Sequence, residues 1–206
     1  MTIVQGEYKS QIGLDKLHYA PVTKDDATGY TASAPVYLAP VATAKTSTTR
    51  NSNTQYADDG VFDSSSAEGE RSVEIEVTNV PLVTAALLTG KTYNATNGML
   101  IEGSGGEPPE YALLFRSKKS NGKYRYVCYL KGKFALADEE YATLENTPAP
   151  KNAKLTFTGL NTIFAFTTAI GKTETVKVVK ADEDVTASAS LIAGWFTAVP
   201  VPVQPV

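Results

Sequence analysis

The sequence predicts a mainly β protein: a β-sandwich or barrel with a flanking α-helix, a long polar loop and an extended C-terminal tail. Two observations predict this class. Most apolar residues fall in short runs rich in Val, Ile, Tyr, Phe and Thr, and clusters of Gly, Pro and Asn separate the runs. Helical signals are confined to two short segments. Because 206 residues suffice for one well-buried core, we expect residues 1–196 to form a single domain and 197–206 the tail.

Eight segments have the alternation and composition of strands. They are residues 12–22, 35–42, 71–80, 98–102, 110–118, 123–136, 153–166 and 175–181.

Two helices and a tail complete the prediction. Residues 81–88 are predicted to be helical because Pro81 suits a first helical position and Gly90 lies just past the end. A second helix is predicted over residues 189–196, where Gly194 weakens the signal. The VPVPVQPV sequence that follows alternates valine and proline, and therefore predicts an extended chain.

Residues 43–70 form an unusually long polar segment. Thr, Ser, Asn, Asp and Gly dominate it, and its large apolar residues are Tyr56, Val61 and Phe62. Irregular connections beyond roughly 12–15 residues tend to be functional or disordered. Two interpretations stay open: a flexible insertion, or an arm that folds onto a partner with Tyr56 and Phe62 as anchors. We expect the segment to be mobile in the monomer, because few apolar groups offset the entropy of ordering it.

The strand that leaves this segment sorts its charges by face. Because side chains alternate along a strand, one face carries Val73, Ile75 and Val77. The other face is almost wholly acidic and carries Glu68, Glu70, Ser72, Glu74 and Glu76. In a monomer this pattern is typical of an edge strand with its polar side in water. It also suits subunits that meet head to tail through surfaces of opposite charge.

The sequence RSKKSNGKYRYV, residues 116–127, gathers cations around Asn121-Gly122. Asn-Gly between alternating runs predicts a hairpin with a two-residue type I′ turn. That register places the cations Arg116, Lys118, Lys123 and Arg125 on one face. It places the apolar set on the other, namely Leu113, Phe115, Tyr124, Tyr126, Cys128 and Leu130. Nucleic-acid binding, docking of another protein and an ordinary solvated tip are the three interpretations.

Composition argues against several functions. The 19 basic and 22 acidic residues do not suit a dedicated duplex-binding module. The sequence contains one cysteine, Cys128, and one histidine, His18. These are too few for a disulfide framework or for a thiolate or histidine metal centre, and they argue against a serine triad. TGKT and IGKT lack the earlier glycine of a phosphate-binding loop. We therefore expect no enzyme and no cofactor. With no long apolar run and no signal-peptide pattern, we expect a protein made and kept in the cytoplasm.

Five segments together carry a family resemblance: IGLDKLHYAPVT, YLAPV, YADDGVFD, EGERSVEIEVTNVPL and LFRSKKSNGKYRYVCYLKGKFAL. The last is the most specific, because so long an ordered string rarely arises by chance. Over roughly residues 10–145 they resemble the major tail proteins of long-tailed bacteriophages, which build the tail tube.

The resemblance implies a structural virion protein that is made in the host cytoplasm and assembles as stacked hexameric rings into a hollow tail tube, the conduit for DNA ejection. Its implied partners are other copies of itself, the tape measure, tail terminator and distal tail proteins, and DNA in transient, non-specific passage, without a membrane. The long loop would reach the neighbouring ring.

Site residues follow as expectations. The lumen or its rim is predicted to contain Glu68, Glu70, Glu74 and Glu76, whose repulsion would keep DNA from sticking. Contacts between subunits are predicted for Arg116, Lys118, Lys123, Arg125, Tyr56 and Phe62. The alternative is a carbohydrate- or surface-binding β-sandwich module that recognises its ligand through loops and its 11 tyrosines. A nucleic-acid-binding protein is the third reading.

Overall fold

The structure is a computed structural model that describes residues 9–57, 59–103, 106–136, 151–169 and 172–202. The strands are β1 (Gln11–Asp26), β2 (Gly29–Ala32), β3 (Val36–Tyr37), β4 (Val41–Ala57), β5 (Gly60–Val77), β6 (Thr92–Asn94), β7 (Met99–Ile101), β8 (Tyr111–Lys119), β9 (Tyr124–Leu136), β10 (Ala153–Leu160), β11 (Ala165–Ala169), β12 (Lys172–Thr175) and β13 (Val178–Asp182). The helices are α1 (Leu82–Thr89) and α2 (Ala189–Ala193), the latter after a 3-10 turn at Thr186–Ser188.

One large antiparallel sheet dominates the molecule, in the order β2-β1-β8-β9-β10-β5-β4. Strand β3 pairs with β1, and β13 pairs with β9 on the edge that β10 also uses. The sheet curls until β1 and β4 lie near each other. No ladder joins these two strands in the described residues, so the sheet is not a closed barrel. The predicted mainly β class with a flanking helix is confirmed.

Two hydrophobic cores lie on opposite faces of this sheet. The first core fills the concave face, with Phe134, Phe157 and Leu88 of α1 among its members. The second core covers the other face of β1, β8 and β9, and its largest residue is the fully buried Trp195. Val199 and Val201 pack against the second core, so the beginning of the predicted tail covers the sheet. Strands β1, β8 and β9 are therefore covered on both faces.

Strand β9 changes direction at Gly132. Its ladder with β8 slips between the pairs Leu113–Tyr129 and Tyr111–Gly132. A side chain at position 132 would overlap the Phe157 ring and the Thr158 carbonyl oxygen, so only glycine allows β10 to pass this closely. The slip is a β-bulge that adds one residue to β9, and Lys131 lies within it, buried.

A buried ion pair fixes this bend to β1. Lys131 Nζ lies 2.9 Å from a carboxylate oxygen of Asp25 and 3.1 Å from one of Glu110, and the Asp25 side chain is only 1 % exposed. Asp25 also accepts hydrogen bonds from the backbone N–H groups of Ile163 and Phe164. Burial acts to raise the pKa of Asp25, but these two N–H groups and Lys131 together lower it. The pair thus joins three distant parts of the sequence.

Helix α1 follows the sequence prediction closely. It spans Leu82–Thr89, and Gly90 ends it with a left-handed φ of 70°. A Cβ at Gly90 would also clash with the Glu107 backbone. In the described residues no helix is long and apolar enough to cross a membrane.

Other boundaries differ from the prediction. The predicted strand 35–42 is broken near Pro40, because proline cannot donate to a ladder. The predicted strand 153–166 stops at Leu160, where the turn that Asp25 holds begins. The largest correction concerns residues 43–70: the predicted polar loop consists of most of β4 and β5, paired as one long hairpin. Backbone pairing forms this hairpin without a run of apolar side chains.

Candidate assembly surfaces

The outward side of β10, β5 and β4 forms a polar surface that neither core of the described residues covers, here called the bare face. It consists of Lys154, Thr156, Thr158, Ser72, Glu74, Glu76, Thr43, Lys45 and Ser47. On the opposite side of β5, Val73, Ile75 and Val77 are almost completely buried. The alternation predicted for this strand is therefore confirmed from Ser72 to Val77, whereas a register shift between Arg71 and Glu68 interrupts it further along.

Neighbouring strands add cations to the bare face. Glu74 stands opposite Lys45 of β4, at 3.6 Å between charged atoms, and Glu76 stands opposite Lys154 of β10. Sequence reasoning missed both lysines, because nothing in the β5 sequence reveals which residues its neighbours bring alongside. The face alternates acids and bases, with Ser and Thr between them.

Glu68 and Glu70 lie on another surface. The ladder between β5 and β10 ends at Arg71–Gly159, and both glutamates precede that point. Glu68 forms an ion pair with Arg71 at 3.0 Å and faces Arg50 across the β4–β5 ladder. The four predicted lumen residues are thus divided between the bare face and the hairpin beyond it.

Beyond the sheet, β4 and β5 continue as a two-stranded projection, here called the arm. It comprises residues 50–57 and 60–68, which pair with each other and with no third strand in the described chain. Asp59, with φ of 60°, lies in the turn at its tip, and Gly60 begins β5 opposite Ala57. Phe62 is 73 % exposed beside this turn; the Tyr56 side chain lies outside the described residues. An isolated two-stranded hairpin is marginally stable in water, so the arm is suited to a partner.

The β8–β9 turn differs from the predicted type I′ form. The Gly122 N–H donates to the Lys119 carbonyl at 3.0 Å, and Gly122 alone adopts positive φ, at 84°. This is a three-residue turn with a bulge, and it shifts the register so that Lys118 pairs with Tyr124. Asn121 keeps negative φ, and its side-chain amide donates to Asp184.

A one-residue shift moves side chains to the opposite face, so the predicted separation of faces is wrong. Arg116 lies beside Tyr124, with its guanidinium carbon 3.9 Å from the ring centre. Phe115 pairs with Val127 in the first core, whereas Tyr126 and Cys128, predicted to share its face, lie in the second core.

Most of the hairpin cations have carboxylate partners within the chain. Arg116 forms two hydrogen bonds with Asp15, at 2.7 and 2.8 Å. Arg125 forms two with Asp182, both at 2.8 Å. The bond to Arg125 and a second contribution from Lys119 lower the pKa of Asp182 to about 2.

Lys119, which sequence reasoning did not single out, lies at the centre of this cluster. Its side chain is 4 % exposed and contacts Asp182 at 3.0 Å and Asp184 at 2.6 Å. Lys123 reaches Asp184 at 3.7 Å. In the described part of the chain, Lys118 is exposed and has no carboxylate within ion-pair distance. Of the four predicted cations, Lys118 is therefore the one that is free to pair with another subunit.

A family model described as phage tail tube protein matches residues 39–197, more than three quarters of the chain. The chain belongs to the phage tail tube protein family. No curated protein matches it significantly. The resemblance assigned from the sequence is confirmed, although the match begins after the IGLDKLHYAPVT segment and extends past residue 145 into the second core.

Membership of this family defines the role in general terms. A tail tube protein is a structural component of the phage tail, and it assembles with itself and with other tail proteins. The bare face, the arm and the β8–β9 hairpin all lie inside the matched range. In this tail tube protein they are therefore the surfaces to consider for assembly.

Substituting Lys118 tests the role of the cationic hairpin. We expect Lys118→Glu to raise the concentration needed for tube assembly about two- to fivefold, because exposed pairs contribute about 0.2–1 kcal/mol each, and to leave monomer melting unchanged. Sedimentation measures the first and circular dichroism the second. Arg125→Glu is the contrasting variant. It should lower the melting temperature, because it removes the ion pair with Asp182 and places a second carboxylate beside Asp182 and Lys119. Assembly of Lys118→Glu at the wild-type concentration would contradict an intersubunit role.

Proposed function

We propose that this protein forms hexameric rings that stack into the phage tail tube, the conduit through which DNA is ejected. The bare face carries the proposal. It is a polar, exposed sheet surface beside a fully covered one, in a protein whose family builds tubes. A channel wall needs such a surface, because it must stay wetted and must not hold the DNA that slides along it.

The uncovered edge of the sheet supports ring formation. Strand β4 is the last strand in the order, so no strand of the described chain forms a ladder with its outer edge. Such an edge invites pairing with another chain. Pairing between copies would extend the bare face around a ring, and would repeat Glu74 and Glu76 about the axis.

The charges of the bare face suit DNA passage. Glutamates repel phosphate, whereas a wall of lysines would bind it and release counterions. Lys45 and Lys154 sit opposite Glu74 and Glu76, so each cation is held beside an anion. We propose that Glu68 and Glu70, at the base of the arm, lie at the rim of the lumen rather than on its wall.

Charge reversal on the bare face tests the proposal. We expect Glu74→Lys with Glu76→Lys to permit tube assembly, because neither side chain contributes to the core, and to reduce infectivity of particles that carry the variant. Two added lysines beside Lys45 and Lys154 would create a phosphate-binding wall. Electron microscopy of concentrated protein and a plaque assay provide the measurements.

The matched control is Glu74→Gln with Glu76→Gln, which removes the anions without adding cations and should retain more infectivity. Normal infection by the lysine variant would refute a lumenal position. Wild-type protein that stays monodisperse at high concentration would refute the tube itself and favour a monomeric binding module.

A further inference from the structure

Helix α1 exposes an apolar surface that the fold of one chain leaves uncovered. The helix sequence, LVTAALLT, contains no charged residue on any side. Its inner residues pack in the first core, while Leu82, Val83 and Leu87 point outward. Helix α1 contacts β7, which adds Met99 and Ile101. These five side chains, here called the helix patch, are each between 47 % and 54 % exposed.

A surface of this kind indicates a binding site. A helix that is apolar all round is normally buried, and contiguous exposed apolar patches mark interaction surfaces. The question is which partner covers it. A second copy of the chain is available, since the family assembles with itself.

The position of the helix patch in the fold indicates which part of a second copy would contact it. Helix α1 follows the C-terminal end of β5 and packs at the level of Phe134 and Tyr111, beside β5 residues 71–77. The arm tip is at the opposite end of β5, at residue 60. At about 3.3 Å per residue, the tip lies roughly 35 Å beyond that level. The patch and the tip therefore lie at opposite ends of one hairpin.

A repeating head-to-tail contact requires two different surfaces at opposite ends of the subunit, and the helix patch and the arm tip are so placed. A contact between two helix patches would be isologous and would close a dimer, whereas a contact between different surfaces can continue from copy to copy. The arm tip presents Phe62, the most exposed large apolar residue of the described chain. Aromatic residues that become buried at a contact are also common among energetic hot spots.

We infer that the helix patch is the receiving site for the arm tip of a copy in the adjacent ring, with Phe62 as the anchor. This inference rests on the proposed stacking of rings and adds the residues that meet. In this contact the apolar side of helix α1 is covered by another copy, and the two-stranded arm packs against a structure outside its own hairpin.

Thiol cross-linking tests the contact. The native Cys128 is fully buried, and burial raises its pKa, so introduced cysteines react alone. We expect Phe62→Cys and Val83→Cys proteins, mixed under assembly conditions, to form a cross-linked dimer with a short bismaleimide, and each protein alone to form none. Phe62→Cys mixed with Ile163→Cys is the control, because Ile163 is 59 % exposed but lies beside Asp25, away from α1.

A charge pair supplies the second test. Phe62→Glu and Val83→Lys should each raise the assembly concentration at least about tenfold, and the double variant, which carries both changes in every chain, should recover most of that loss. Failure of the mixture to cross-link, or cross-linking of Val83→Cys with itself, overturns the inference.

Two outcomes distinguish failure of tube formation from failure of the receiving site. If wild-type protein forms no rings or tubes, the proposed function and this inference both fall. If wild-type tubes form and require the arm, but the Phe62–Val83 pair neither cross-links nor shows rescue, the receiving site alone is wrong.

Discussion

Replacing residues 50–69 with Asn-Gly should abolish tube formation and leave a folded monomer. The replacement keeps the pairing of Thr48 with Arg71 and closes the strands with a two-residue turn. Within the described chain, no residue of the arm belongs to either core, so its removal sacrifices little buried apolar area. The losses outside the arm itself are the hydrogen bond from Lys177 Nζ to the Gly69 carbonyl oxygen and the ion pair of Arg71 with Glu68. We expect the free energy of unfolding to fall by no more than about 1–2 kcal/mol.

Electron microscopy and sedimentation measure assembly, and urea unfolding measures stability. Ser64→Thr with Ser66→Thr is the matched control, because it changes exposed arm residues without shortening the strands, and it should assemble normally. Tubes of normal length from the shortened protein would show that the arm is dispensable. An unfolded product would instead show that the arm stabilises the monomer, contrary to the expectation.

Asp25→Ala should destabilise the monomer by about 3–5 kcal/mol, the largest effect on stability that we expect from a single substitution. Removing one partner of a buried pair leaves the other charge without compensation. Lys131 would keep only Glu110, whose side chain is 36 % exposed. The N–H groups of Ile163 and Phe164 would lose their acceptor as well.

Urea unfolding followed by the fluorescence of Trp195 measures this change, because Trp195 is the single tryptophan and is fully buried. Asp25→Asn should cost less, since an amide oxygen still accepts a hydrogen bond. The matched control is Glu74→Ala, which removes the acid of an exposed Lys–Glu pair and should cost less than about 1 kcal/mol. Equal losses for the buried and the exposed pair would contradict the assigned role of Asp25.

The sequence predicted those features that depend on local pattern. Alternation located β1, β8, β9 and the buried face of β5, and Gly90 marked the end of α1. The arm was missed because its Ser, Thr and Asn residues have no apolar alternation. A signal was present, however: the turn-forming residues Asp59 and Gly60 lie midway between two segments of nearly equal length, although Gly60 itself pairs with Ala57.

Features that depend on register or on distant contacts could not be predicted. The faces of the β8–β9 hairpin were assigned wrongly because the turn is not of type I′. Asn121 instead donates a side-chain hydrogen bond to Asp184, more than sixty positions away. Lys45 and Lys154 reach the bare face only through the order of strands in the sheet. The pairing of Asp25 with Lys131 joins residues more than a hundred positions apart, and no local pattern records it.

The second core has a consequence for the time course of folding. Trp195 packs against Tyr126 of β9, and the same core contains Ala20 of β1 and Leu114 of β8, so it joins residues more than 75 positions apart along the chain. Contacts of such long range form slowly, because the intervening chain must first be closed into a loop. Until they form, the outer face of β8 and β9, with Leu114 and Leu130, is open to water. We therefore expect a newly made chain to expose this apolar face until its C-terminal residues are in place, before it can become a building block of the tail.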